Sequence, residues 1–86
     1  GNNKMAISDE VYRVNVDGGY YNFKLYKAIH DKGISHNQFM RDTETAYTVM
    51  RRYARGIIQR IDVVLIAKWC KYLDCEFVDI VEYCKE

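Results

Sequence analysis

The chain has 86 residues, of which 49% are hydrophobic, so one folded domain is expected and an intrinsically disordered chain is excluded. Proline is absent, which favours a compact helical domain over a β-sandwich, and no apolar run approaches the roughly 18 residues of a membrane span. The three cysteines lack zinc-site spacing, so we expect no metal, no cofactor and a reducing, cytoplasmic compartment.

The charge is unevenly distributed although the formal net charge is only +1. Residues 36–60 hold five arginines and two acidic residues, whereas residues 61–86 hold three lysines and six acidic residues. A local patch sets the field that a charged partner meets, so the low net charge does not exclude a polyanion.

Residues 1–20 are predicted to form an N-terminal extension that is partly strand. In VYRVNV, from Val11 to Val16, the alternation of Tyr12, Val14 and Val16 indicates a strand, and Asp17-Gly18-Gly19 indicates a turn. The strand is expected to pair with Tyr20 and Tyr21 in a hairpin, with a distant segment, or with a second subunit. Tyr12, Tyr20 and Tyr21 are expected either to cover the core or to form an interface.

Helical signals follow in order along the rest of the chain. Asn22 is predicted to cap a helix over about 23–32 that ends at Gly33. Ser35 and Gln38 have capping-box spacing and predict a second helix through about Asp42.

Three further helices are predicted after this pair. The third runs over about 46–55 and ends at Gly56, and the fourth runs over about 63–73 with Asp62 as its cap. The fourth carries an apolar stripe at helical spacing, namely Ile66, Trp69, Cys70 and Leu73. A last short helix is predicted from Phe77, Ile80, Val81 and Cys84. The expected fold is therefore all-α, with five helices and a short N-terminal β-strand extension.

The third predicted helix lies in TETAYTVMRRYARG, from Thr43 to Gly56, and divides into two faces on a helical wheel. The apolar face holds Ala46, Val49, Met50 and Tyr53. The opposite face, which contains no acidic residue, holds Tyr47, Thr48, Arg51, Arg52 and Arg55. Such a face suits a nucleic acid, but a solvated surface or an acidic protein partner stays possible on this pattern alone.

The order of these elements resembles the Cro/phage-repressor type of helix-turn-helix domain, the Xre-like group. The resemblance covers about Tyr21–Glu86. The matching pieces are Asp31-Lys32-Gly33-Ile34-Ser35, Arg41-Asp42-Thr43, Gly56, Arg60-Ile61-Asp62 and the ending from Leu73-Asp74-Cys75 through Asp79-Ile80 to Glu82-Tyr83. It implies that residues 21–86 form a lambda-repressor-like DNA-binding domain of a cytoplasmic, nucleoid-associated regulator from a bacterium, phage or mobile element.

The resemblance also implies which residues contact double-stranded DNA. The second helix of the motif would enter the major groove, with base contacts from Tyr47, Thr48, Arg51 and Arg52. The DNA backbone would meet His36, Asn37, Gln38, Arg55 and Arg60, although Arg60 could instead pair with Asp62 or Asp42. A homodimer on a pseudo-palindromic operator is expected, joined through the N-terminal strand or the last helix.

Three positions between the paired helices depart from the family pattern. Glu44 and Thr45 stand where glycine and an aliphatic residue are usual, and Ala46 stands where a serine commonly caps the second helix. A left-handed Glu44 would cost about 1 kcal/mol, so we expect a differently shaped turn and a cap shifted to Thr45 or Thr43.

Enzymatic activity is not expected, because the sequence contains no Gly-rich phosphate loop, no nucleophile elbow and no acid pair with a reason to lie close together. The alternative to DNA binding is a protein-binding module on the same fold, such as an antitoxin, an anti-repressor or a phage inhibitor. RNA binding is a third and smaller possibility.

Overall fold

The computed structural model describes the backbone of residues 4–6 and all of residues 10–86; residues 1–3 and 7–9 of the predicted extension lie outside the described residues. The strands are β1 (Lys4–Ala6), β2 (Tyr12–Val16), β3 (Gly19–Phe23) and β4 (Val81–Lys85). The helices are α1 (Leu25–Lys32), α2 (His36–Thr43), α3 (Tyr47–Ala54) and α4 (Val63–Leu73), followed by one 3₁₀ turn at Phe77–Asp79.

The four strands form an antiparallel sheet in the order β1-β2-β3-β4. In the β2–β3 hairpin Val14 lies opposite Tyr21, and in the β3–β4 pair Tyr21 lies opposite Tyr83. Of the three pairing partners considered for the N-terminal strand, the hairpin is therefore the one observed. Strand β3 crosses the predicted boundary between residues 20 and 21, and a division of the chain there stays a prediction.

The prediction of an all-α fold with five helices is wrong, because the described residues form four α-helices and the sheet. The predicted last helix is replaced by the 3₁₀ turn and β4. The apolar residues of this segment have helical spacing, but the segment instead forms β4. Strand β4 pairs with the free edge of β3, which lies about 60 residues earlier in the chain. Val81 and Ile80 are buried, whereas Phe77 is exposed.

The first helix begins later than predicted. Asn22 belongs to β3, where it pairs with Glu82 and Arg13, so it does not cap α1. Helix α1 starts at Leu25 after Lys24, and no side chain caps it. Its predicted end is confirmed, because Gly33 adopts the left-handed conformation with φ 80°.

The other helices lie close to their predicted bounds. Ser35 accepts a hydrogen bond from the Gln38 N–H at 3.0 Å, as the capping-box pattern predicts. Helix α4 has the predicted bounds, and the Asp62 carboxylate caps it by accepting from the N–H groups of Val64 and Leu65.

The hydrophobic core lies between the helices and one face of the sheet. Trp69 is fully buried at its centre, with the Phe39 and Tyr53 rings at 5.7 and 5.0 Å between centroids. The sheet adds Phe23 and Val81 to this core. Within the described residues no helix is long and apolar enough to cross a membrane.

Candidate nucleic-acid interface

Helices α2 and α3 are joined by a three-residue turn, Glu44-Thr45-Ala46. The expectation of a differently shaped turn is wrong, because Glu44 itself takes the left-handed conformation, with φ 54° and ψ 44°. The Thr45 N–H then donates to the Met40 carbonyl at 2.9 Å, which closes α2. A non-glycine residue in this conformation costs about 1 kcal/mol, which the surrounding contacts must offset.

A chain of hydroxyl groups anchors the turn in the core. The Trp69 indole N–H donates to the Thr45 hydroxyl at 3.0 Å. The Thr45 and Thr43 hydroxyl oxygens are 2.7 Å apart, and the Thr43 hydroxyl donates to the Phe39 carbonyl at 2.6 Å. With Thr45 donating to Thr43, each hydroxyl both accepts and donates a hydrogen bond, so the buried polar atoms are satisfied.

This chain also explains why the expected capping of α3 is wrong. Ala46 occupies the cap position and no side chain caps the helix. Thr43 and Thr45, the two candidates, are both buried and use their hydroxyls in the chain to Trp69. The first N–H groups of α3 therefore receive no side-chain acceptor from the turn.

Helix α3 presents much of the two-faced pattern predicted for it. Met50, Tyr53 and Ala54 are buried and Val49 is half-buried, while Ala46 at the start is exposed. On the other side Tyr47, Thr48 and Arg52 are exposed, with 58% of Tyr47 accessible to solvent, and Arg51 and Arg55 are half-buried. The Tyr53 hydroxyl accepts from the Asp62 N–H at 2.9 Å and so joins α3 to the start of α4.

The start of α2 lies beside α1 at this surface. His36 and Asn37 are exposed and Gln38 is half-buried. The His36 ring stacks on the Tyr26 ring, with centroids 4.6 Å apart and planes 16° from parallel. Burial raises the pKa of Tyr26, with a smaller contribution from Tyr47, while the guanidinium groups of Arg55 and Arg51 act in the opposite direction. The Tyr26 hydroxyl therefore lies close enough to Tyr47, Arg51 and Arg55 for these residues to influence its pKa.

The ion pairs of the described residues leave the arginines of α3 without a carboxylate partner. Those pairs join Lys24 to Glu82, Lys27 to Asp31, His30 to Glu10 and Arg41 to Asp42. In an ordinary solvated helix face, charges of opposite sign usually alternate. The positive charge of Arg51 and Arg52 is therefore available to an external anion.

Arg60 does not form either of the ion pairs considered for it within the described part of the chain. The Asp62 carboxylate caps α4, and Asp42 accepts a hydrogen bond from the Tyr72 hydroxyl at 2.6 Å. Arg60 is exposed and lines a surface cleft of about 680 Å³ together with Arg52 and Gly56.

Two aromatic neighbours of α3 were not predicted from the sequence as site residues, namely Tyr26 and Tyr12. The Arg55 guanidinium carbon lies 4.9 Å from the centroid of the Tyr12 ring, so β2 reaches the end of α3. Tyr12 follows from a strand pattern, but its contact with a helix more than 40 residues later has no local signal. In residues 10–86, no group of three His, Cys, Asp or Glu side chains could hold a metal ion.

Comparison with known proteins identifies the family. No curated protein and no solved structure matches the chain. A family model described as a Cro/C1-type HTH DNA-binding domain matches residues 24–86, which include all four helices, the turn and β4. The chain therefore belongs to the family of Cro/C1-type helix-turn-helix DNA-binding domains.

Proposed function

We propose that this protein is a sequence-specific transcriptional regulator that inserts α3 into the major groove of double-stranded DNA. The observation that carries the proposal is the outward face of α3, where Tyr47, Thr48, Arg51 and Arg52 lie with no carboxylate paired to them in the described residues. Arginine donates two parallel hydrogen bonds to guanine edges, and a threonine methyl can contact thymine. These four residues are the proposed base contacts.

The proposed backbone contacts flank this face. His36 and Asn37 stand at the start of α2 with Gln38, where the helix dipole favours an anion such as a phosphate, although the Gln38 N–H already donates to the Ser35 hydroxyl. Arg55 follows the last turn of α3, and Arg60 lines the cleft next to it. Phosphate contacts of this kind fix the orientation of the protein, while α3 reads the sequence.

A homodimer on a pseudo-palindromic operator is part of the proposal, because a single domain of this size gives limited affinity. The two contacts expected from the sequence were the N-terminal strand and the last helix. In the described residues both edges of β2 are paired, with β1 and β3, and a 3₁₀ turn and β4 replace the last helix. The strands with one unpaired side in the described sheet are β1 and β4, so the proposed dimer contact moves to one of these edges.

A selection from a pool of random duplexes tests the proposal. The expected result is one enriched motif, with two related half-sites about one helical turn apart. Specific duplex should outcompete random duplex, and log K should fall steeply with log salt concentration. A pool that stays unenriched after several rounds would contradict sequence-specific binding and favour the protein-binding alternative.

A further inference from the structure

Strand β2 lies against the C-terminal end of α3 through one cation–π contact. Arg55 follows α3 directly, and its guanidinium carbon lies 4.9 Å from the centroid of the Tyr12 ring. Both side chains are half-buried. Tyr12 also lies outside residues 24–86, the segment matched by the family model, so the family match does not include this contact.

The aromatic groups around Arg55 extend the surface of α3 toward β2 and α1. Tyr26 feels the charges of both Arg55 and Arg51, and its ring carries the stacked His36. The basic end of α3 is therefore bordered by aromatic rings, and no carboxylate of the described residues is paired with it.

A guanidinium group can stack and donate at the same time. Its flat face rests on an aromatic ring, while its N–H groups point outward in the plane and can hold a phosphate. A free arginine side chain loses rotamer entropy when it binds, and a stacked one has already lost part of it. The cation–π contact with Tyr12 therefore restricts the Arg55 side chain before it meets a phosphate.

We propose that β2 is part of the DNA-contacting surface and that Tyr12 is a positioning residue, which holds the Arg55 guanidinium toward a phosphate beside the major groove. The proposal rests on the proposed function. Its consequence is that the affinity for DNA depends on a residue in the N-terminal strand, far in sequence from the two paired helices.

The same strand supplies a matched control. The guanidinium carbon of Arg13 lies 3.9 Å from the centroid of the Tyr20 ring. Because neighbouring residues of a strand point to opposite faces, Arg13 and its partner lie on the face of the sheet away from Tyr12. The substitution Tyr20→Leu therefore removes a similar cation–π pair from the same hairpin without touching α3.

A double-mutant cycle tests the proposal, with affinity measured by fluorescence anisotropy on the duplex enriched by the parent protein. Tyr12→Leu should weaken binding about threefold, toward the weak end of the range for cation–π contacts, whereas Tyr12→Phe and Tyr20→Leu should bind as the parent does. Arg55→Ala should also make the slope of log K against log salt concentration shallower by about 1, the value expected for the loss of one phosphate contact. In the Arg55→Ala background, Tyr12→Leu should have no further effect.

Parent-like binding by Tyr12→Leu, or an equal loss with and without Arg55, would overturn the proposal. If Tyr12→Leu does not fold, the parent decides the matter by NMR. Saturating duplex should then shift the Tyr12 ring and Arg55 Nε–H resonances and leave the Tyr20 ring unchanged, and an unshifted Tyr12 ring would overturn the proposal.

If Arg51→Ala/Arg52→Ala abolishes binding while Tyr12→Leu does not weaken it, only this inference fails. If neither weakens binding, the proposed function fails as well.

Discussion

At the scale of single residues, the turn between α2 and α3 depends on two threonines. The hydroxyls of Thr43 and Thr45 connect the buried Trp69 indole to the end of α2. Trp69 was predicted as a core residue from its place on an apolar stripe, and this is confirmed. A buried tryptophan N–H needs an acceptor, so the sequence also predicts that Trp69 has a polar partner. It does not identify Thr45 as that partner, because Thr43 and Thr45 both stand at positions typical of helix caps.

Replacing Thr45 by valine tests the hydroxyl chain. The substitution keeps the side-chain shape but leaves the Trp69 N–H without its acceptor, so we expect a loss of about 1–3 kcal/mol in the free energy of unfolding. Urea denaturation measures it. The control is Thr48→Val, a similar change on the exposed face of α3, which should stay within about 0.5 kcal/mol of the parent. Equal effects of the two variants would mean that the hydroxyl chain adds nothing.

At the scale of elements, local signals located the helices well and the sheet poorly. Helix α4 combines an Asp62 cap, an apolar stripe and a turn after Leu73, so its bounds follow from about a dozen neighbouring residues. Strand β4 has no such local definition. Phe77, Ile80, Val81 and Cys84 fit a helical face, and only the pairing with β3 selects the extended form. Pairing between segments about 60 residues apart leaves no local pattern in one sequence.

The junction between α3 and the sheet depends on Gly56, which has φ 70°. A Cβ atom there would lie 2.6 Å from Val14 and 2.7 Å from Phe23, which is closer than side chains tolerate. Gly33 has a similar φ of 80°, but nothing lies within 4 Å of its Cβ position. The two glycines thus share a backbone conformation and differ in their surroundings.

Alanine substitutions at these glycines separate conformation from packing. Gly33→Ala should cost only the left-handed strain, about 1 kcal/mol. Gly56→Ala should cost about 2–4 kcal/mol, because overpacking against the sheet adds to the same strain. Thermal and urea unfolding measure both. If Gly56→Ala is no more destabilising than Gly33→Ala, the close contact of Gly56 with Val14 and Phe23 is not as described.

At the scale of the whole molecule, positive and negative charges are concentrated in different parts of the chain. Four of the six arginines, Arg51, Arg52, Arg55 and Arg60, lie on α3 or in the segment after it, whereas the last 26 residues hold six acidic residues and three lysines. An asymmetric field of this kind orients a protein on DNA and speeds its association. This asymmetry could be predicted from the sequence, because it needs only the order of charges. The contact between Tyr12 and Arg55, on which the role proposed for β2 rests, could not be predicted, because it depends on the fold.

Equilibrium binding of an Arg51→Ala/Arg52→Ala variant to the enriched duplex, over a range of salt concentrations, tests the central claim most directly. We expect at least about a tenfold loss of affinity and a relaxed sequence preference, since each arginine contact to a base is worth about 1–3 kcal/mol. The matched control is Lys68→Ala/Lys71→Ala, which removes two positive charges from exposed positions of α4 and should bind nearly as the parent does. A double arginine variant that binds all duplexes as tightly as the parent would contradict the placement of α3 in the major groove.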